Sequence, residues 1–389
     1  MSYDMYVPTR VLFGAGRLSE LHSQAMPGKK AMVVISNGKS TRASGCLDRT
    51  LEQLRMAGAA YAVFDRVEPN PLNGTVSAGA EFARQEGCDF IVALGGGSVM
   101  DAAKAMAVLV TNGGDFWDYI PTGTGKGLPV TQKPLPLVAI TTTAGTGSET
   151  DMACVVTNPD TVEKTSLKIE GNFPVLAIVD PELMRTVPPR FTAFQGFDAL
   201  SHSLEGYISS RANLMSDMYA LTAVENIARW LPAAIRNGDD LEAREHVAFG
   251  NTLSGLVMCV GALTSHHSLE HALSAYHQDL PHGAGLILLS RAYFTHVIER
   301  HVCDERFVRL ARAMGKTDAR EPMDFIAALD AFLRACGVGE LKMSDYGITP
   351  DEFPQMVQNA KSAMAGLFRF DRAPLSDGDC LEIYERSYT

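Results

Sequence analysis

The hydrophobic pattern of this chain changes character once, and that change limits the architectures open to it. Up to about residue 187, short apolar runs rich in β-branched residues, KAMVVIS (30–36), YAVFD (61–65), DFIVAL (89–94) and PLVAI (136–140), are separated by helical patterns at 43–57, 75–86 and 98–111. Strands that alternate with helices of this length predict crossover units and a parallel sheet covered on both faces. Pro188 and Pro189 then mark a break. Beyond them apolar residues recur at three and four with almost no β-branched run, as in 216–235, 244–263 and 323–337, which predicts helices throughout. A length of 389 residues fits roughly two domains. The expected division is an α/β domain over 1–187 and an all-α domain over 188–389.

Candidate chemistry concentrates in the helical half. Five of the ten histidines lie between positions 266 and 282, and His267 and His271 are four apart, as are Asp198 and His202 upstream. A spacing of four sets two side chains one turn apart on one helix face. Three imidazoles and one carboxylate, Asp198, His202, His267 and His282, drawn from two helices and a loop, form a borderline-hard donor set for divalent iron or zinc. A single histidine in a helical pattern is more often a packing or surface residue, which is the reading for His22, His246, His296 and His301. His266 and His277 are left out of the ligand set as well. His267 to His271 also fits H-x-x-E-H, the inverted zinc-peptidase motif with Glu270 as base. That alternative leaves Asp198, His202 and the glycine loops of the first domain without a role.

Those loops are LGGGS (94–98) and TTTAGTGSE (141–149), each following an apolar run. Glycines at the start of a helix let a pyrophosphate approach backbone N–H groups, and ligands of open parallel sheets bind at the carboxyl ends of the strands. A Rossmann-like, dinucleotide-binding role for the first domain is expected, and a metal-binding role for the second. Gly14-Ala15-Gly16 lacks the third glycine of a fingerprint and reads as structural, and 121–135 is a Gly/Pro-rich loop with no P-loop spacing. A net charge of −11 argues against a nucleic-acid partner. No secretory signal and no apolar run of membrane-spanning length is visible. Seven cysteines without C-x-x-C spacing fit reduced thiols in a cytoplasm.

The motifs taken together resemble the iron-containing (group III) alcohol dehydrogenases. The likeness runs through FGAG (13–16), EPNP (68–71), GGGSVMDAAK (95–104), TTAGTGSE (142–149), IVDPEL (178–183), GFDALSHSLEGYIS (196–209) and HHSLEHALSAYHQDLPHGAG (266–285). It implies hydride transfer between a nicotinamide, NAD or NADP, and a small alcohol or aldehyde whose oxygen is polarised by a metal, Fe2+ with Zn2+ as the alternative. By residue it implies metal ligands Asp198, His202, His267 and His282 and a proton-relay histidine, His271. Cofactor positions are Asn70, Gly97, Ser98, Thr142, Thr143, Thr146 and Lys164. A homodimer or larger homo-oligomer is implied too.

Two departures stand out. One extra residue separates His271 from His282 relative to the shorter type of relative. The position where NAD-using relatives carry an acid for the ribose is Gly38, with Lys39, Ser40 and Arg42 nearby, which would tolerate a 2′-phosphate. Asp151, Met152 and the stretch Val257–Gly261 are expected in the wall of the substrate pocket. Rival readings are a zinc-dependent glycerol dehydrogenase or dehydroquinate synthase-like enzyme of the same plan, the peptidase above, and a metal-binding protein without catalysis.

Overall fold

Eight strands form among residues 3–388, the part of the chain that the computed structural model describes: β1 (Arg10–Phe13), β2 (Lys30–Ser36), β3 (Ala60–Val67), β4 (Phe90–Gly95), β5 (Leu137–Thr141), β6 (Ala153–Asn158), β7 (Glu163–Lys168) and β8 (Leu176–Val179). Six of them make one sheet of order β1-β8-β5-β4-β2-β3, with every neighbouring pair parallel. The other two, β6 and β7, pair antiparallel as a separate hairpin.

The alternation of side chains along a strand explains why these runs are almost entirely apolar. Met32, Val34, Ile91 and Ala93 face one core, with α3 (Asn73–Gln85) and α4 (Gly97–Asn112) packed on it. Ala31, Val33, Phe90, Val92 and Leu94 face the other, together with residues of α2 (Cys46–Met56), which follows the short α1 (Ser40–Ala43). With both faces covered, a strand has no side on which a polar residue is cheap. β1, at one edge of the sheet, and its neighbour β8 have four residues each and are too short to show a period, and β7 reads EKTSLK; none of these was expected. The FGAG segment is structural here: Asp180 accepts from the N–H groups of Gly16 and Leu18, both at 3.0 Å, and Gly16 has φ +78°, which glycine adopts without strain.

From Pro188 the chain is helical: α5 (Pro189–Ile208), α6 (Leu214–Arg236), α7 (Leu241–Val260), α8 (Ser265–Tyr276), α9 (His282–Glu299), α10 (Asp304–Ala313), α11 (Asp324–Ala335), α12 (Phe353–Ala363), α13 (Ala365–Phe368) and α14 (Asp377–Ser387). Pro189 occupies the first turn of α5, where its missing N–H costs nothing. The chain divides into two compact units, Val7–Val187 and Pro188 onward, the latter including the first residues through Tyr6. Among the described residues no single helix is long and apolar enough to cross a membrane.

One helix positions the site. α5 packs against α6, α7 and α9, and from Thr192 to Ile208 every residue but Gln195 is buried. A helix enclosed on all sides has no solvent face on which to place ionisable groups, yet this one carries Asp198, His202 and Glu205. Each of them therefore needs a partner inside the protein.

Candidate metal centre

Asp198 and His202 project from α5 one turn apart, His267 and His271 do the same from α8, and His282 is the first residue of α9. The last point corrects the expectation of a loop ligand. The loop His277–Pro281 leads to it, and His277 there meets Glu352 at 3.1 Å. At the N-terminus of a helix the local dipole disfavours an imidazolium, which suits a neutral ligand.

Three imidazole nitrogens converge on one carboxylate oxygen. Asp198 Oδ1 lies 3.6 Å from His202 Nδ1, 3.6 Å from His267 Nε2 and 3.5 Å from His282 Nε2. Donor atoms around a tetrahedral ion with bonds of about 2.0–2.2 Å stand about 3.3–3.6 Å apart, so these separations fit a shared cation. The oxygen of Asp198, Nδ1 of His202 and Nε2 of His267 are all buried without a hydrogen-bond partner. Leaving such atoms unpaired costs about 1–3 kcal/mol each, which a bound cation relieves. Asp198, His267 and His282 are mutually within 4.8 Å, and His202 joins them through Asp198 and by stacking on His267, with ring centroids 4.5 Å apart.

The electrostatics suit a cation as well. Burial acts to raise the Asp198 carboxyl, but His202 and His282 beside it hold it well below the usual carboxylate range. Burial, partly offset by Asp198, pushes His202 down to about 4, so its lone pair is free at neutral pH. His267 is different. Burial acts to lower it, yet Glu205 and Asp198 overcome that and push it up to about 10, so a metal must displace a proton there.

Two carboxylates that the sequence reading did not assign stand behind the ligands. Glu205, fully buried, accepts from His267 Nδ1 at 2.5 Å, from His266 Nδ1 and Ser201 Oγ at 3.0 Å, and from N and Oγ1 of Thr264 at 3.1 Å. Glu270, also fully buried, pairs with His282 Nδ1 and accepts from Ser274 Oγ. A carboxylate on Nδ1 fixes the tautomer and aims Nε2 at the metal position. Glu205 was legible in principle, being seven residues after Asp198 and so on the same face of α5. Glu270 is turned to His282 and grouped with His271 and His282, an arrangement that does not suit a peptidase base. His266 is held between Glu205 and the carbonyl of Leu286, a packing role.

In the α/β unit the expected cofactor residues sit at the carboxyl ends of the parallel strands. Gly38 follows β2, Asn70 follows β3 in a left-handed conformation with φ +52°, Gly97 and Ser98 begin α4 after β4, and Thr142, Thr143 and Thr146 follow β5. The two glycine loops are packed together: a Cβ on Gly96 would lie 2.8 Å from Thr143 Oγ1, and one on Gly97 would run into the methyl group of Thr146. Thr142 N donates to Gly95 O at 3.0 Å. Lys164, on β7, is in register with Thr157, whose N–H donates to Pro71 O at 2.8 Å, which brings Lys164 to the neighbourhood of Asn70. Asp151 does not fit the expected pocket wall. It is buried and paired with Lys104 Nζ at 2.9 Å.

A parallel sheet with glycine- and threonine-rich loops at its carboxyl edge, and a helical unit built around an Asp/His donor set, are the arrangement expected of a metal-dependent dehydrogenase linked to a dinucleotide. Residues 8–181 match the family described as iron-containing alcohol dehydrogenase, and residues 192–388 match the Fe-containing alcohol dehydrogenase family, C-terminal. The chain is 36% identical to a 1,3-propanediol dehydrogenase of Klebsiella pneumoniae, over 92% of this chain and 93% of that one. It is 32% identical to an NAD-dependent methanol dehydrogenase of Bacillus methanolicus, with the same coverage of 92% and 93%. Among solved structures, an archaeal halo-thermophilic Red Sea brine pool alcohol dehydrogenase superposes with a TM-score of 0.94 at 31% identity, covering 100% of this chain and 99% of that one. The chain belongs to the iron-containing alcohol dehydrogenase family and is an alcohol dehydrogenase.

Proposed function

We propose that the protein interconverts a small alcohol and its aldehyde, with NAD or NADP as hydride carrier and Fe2+ as the ion held by Asp198, His202, His267 and His282. The observation that carries this reading is the convergence of three imidazole nitrogens on Asp198 Oδ1 at 3.5–3.6 Å. A divalent ion there supplies a Lewis acid that stabilises negative charge on the substrate oxygen. The chain's own residues do the rest. Glu205 and Glu270 orient the imidazoles, and Asn70, Gly97, Ser98, Thr142, Thr143, Thr146 and Lys164 line the dinucleotide. His271, 5% exposed and with its ring centroid 5.4 Å from that of His282, holds and passes the proton of the substrate hydroxyl.

His271→Ala therefore lowers turnover by about a hundredfold or more while metal content stays at the wild-type level. Metal analysis that finds the ion lost would show that His271 is a ligand and not a relay.

The cofactor's phosphate state rests on the end of β2. Gly38 offers no carboxylate, and Lys39 is exposed, which favours acceptance of a 2′-phosphate. Arg42 is engaged with Asp65 Oδ2 at 2.7 Å, but both side chains are about half exposed, and such a surface pair is weak enough to exchange. Relatives named as an NAD-dependent methanol dehydrogenase and an NADH-dependent butanol dehydrogenase support use of NAD too. The reading also takes the enzyme as a homo-oligomer in the cytoplasm, supported for the compartment by seven free cysteines.

A screen of short neutral and acidic aldehydes against NADH and NADPH, with Fe2+ and Zn2+ restored separately and without oxygen, tests the whole reading. Oxidation of neither carrier with any aldehyde under either metal would overturn it.

A further inference from the structure

Behind the glycine loop, the α/β unit holds a charged cluster that the proposed reaction does not use. Lys104, on α4 and without accessible surface, donates from Nζ to Ser148 O and Oγ at 2.8 Å, and to Asp151 Oδ1 and Ala153 O at 2.9 Å. Ser148 in turn donates its hydroxyl to Asp101 Oδ1 at 3.2 Å. Two carboxylates thus share one ammonium group, Asp101 being a single hydroxyl removed from it. Acidic groups here outnumber the one ammonium group, and carboxylates that share a single buried cation compete for it, which disfavours ionisation of the one not directly paired.

Asp101 is the member less directly paired with the ammonium group. Asp151 has the direct ion pair and also accepts from Ala153 N at 2.7 Å, whereas Asp101 is supported by the Ser148 hydroxyl and the N–H of Val155. Asp101 retains some solvent access, although protein surrounds most of it. Loss of hydration, opposed by Lys104 and reinforced by Asp151, pushes its carboxyl up to about 7.

Among the described residues, the strands and helices packed on α4 bring no further ionised group to this point. On β6, Cys154 faces the cluster as a neutral thiol, held far above its usual range by burial and by Asp101. β4 and β5 contribute no ionisable side chain. From α3, Arg84 reaches the opposite end of α4, at the carbonyls of Leu109 and Val110. Lys30 of β2 is paired with Glu86, Asp65 of β3 with Arg42, and Asp118 with Lys126; Arg66 of β3 lies over Phe64 and Glu170 is exposed. Glu149, in the same loop as Ser148, is buried and adds only a further acidic group.

Asp101 stands three residues after Ser98, one turn into α4 and on the same face. We propose that dinucleotide binding at the Gly97–Ser98 end of α4 is tied to uptake of one proton by Asp101, the pyrophosphate being accepted when that carboxyl is neutral. This rests on the cofactor site proposed above. A second negative group close by makes ionised Asp101 less favourable, so the complex holds the proton to a higher pH than the free enzyme does. Below pH 7 the proton is already in place and affinity is level; above it, each binding event draws a proton from solvent and affinity declines.

The test is titration of metal-loaded enzyme with NADH, whose pyrophosphate does not change protonation between pH 6 and 9, with proton uptake read by calorimetry in two buffers of different ionisation heat. Wild-type Kd is expected to be level up to pH 7 and to rise by about tenfold by pH 8.5, with net proton uptake at pH 8. In D101N both the slope and the uptake vanish. Parallel NADPH titrations compare wild type with D101N, so that titration of the 2′-phosphate cancels. NADH binding whose affinity ignores pH, or a slope retained in D101N, overturns the inference and leaves the cofactor site standing. A wild-type enzyme that binds neither dinucleotide at any pH overturns the cofactor site, and this inference with it.

Discussion

In His267→Ala, metal and turnover disappear together, while NADH or NADPH still binds. The loss expected in turnover is about a thousandfold or more, since a Lewis acid contributes several kcal/mol and each 1.4 kcal/mol is a factor of about ten. Removing His267 takes away a donor 3.6 Å from Asp198 Oδ1 and also strips Glu205 of its 2.5 Å partner. Glu205 keeps His266, Ser201 and Thr264 as donors, but breaking a buried charged pair still costs up to about 3–5 kcal/mol, so thermal unfolding has to be followed alongside. His202→Ala provides the milder control. His202 is neutral at pH 7, and Asp198 keeps His267 and His282 beside it when His202 is removed, so its metal loss reports ligation with less damage to the fold. Full turnover by a metal-free preparation of either variant would refute the metal centre.

Replacing Glu205 has the next largest effect, because four side chains and the backbone of α8 depend on it. Glu205→Ala leaves His266, His267, Ser201 and Thr264 without their shared acceptor. Destabilisation of about 3–5 kcal/mol is expected, visible as a lowered unfolding midpoint in denaturant. Glu205→Gln separates shape from charge. It restores an acceptor to Thr264 and much of the stability, but it no longer makes His267 a strong donor to the metal, so metal affinity stays reduced by about ten- to a hundredfold. If the Gln variant bound metal as tightly as wild type, the carboxylate would be a folding element only.

The strands and the clustering of the candidate metal ligands were legible in the sequence because both leave a periodic trace. β2, β4 and β5 are buried on both faces and so must be apolar throughout, and Asp198/His202 and His267/His271 repeat the helix period with residues that helices rarely bury. What stayed hidden has no such periodic trace. The edge strand β1 and the neighbouring β8 are four residues long, and the support given by Glu205 and Glu270 depends on which helix lies opposite. Asp151 was expected beside substrate because it follows the threonine loop in sequence. Its real partner, Lys104, is 47 positions away and sits inside what reads as an ordinary apolar helix. Arg42 near Gly38 suggested a phosphate contact, and only the fold shows Asp65 at the end of β3 facing it.

The enclosure of α5 on every side ties assembly of the helical half to nutrition. Asp198, His202 and Glu205 are carried into the interior on a helix that the surrounding helices close over, and a cation at the proposed site, binding only the finished arrangement, would shift the balance toward it by mass action. The expected result is that chain made while divalent metal is scarce is cut by protease sooner than chain made with the ion present, as limited proteolysis of the two preparations would read. On that result the yield of working enzyme would follow the supply of the ion during synthesis, and ion added afterwards would not recover chain already degraded.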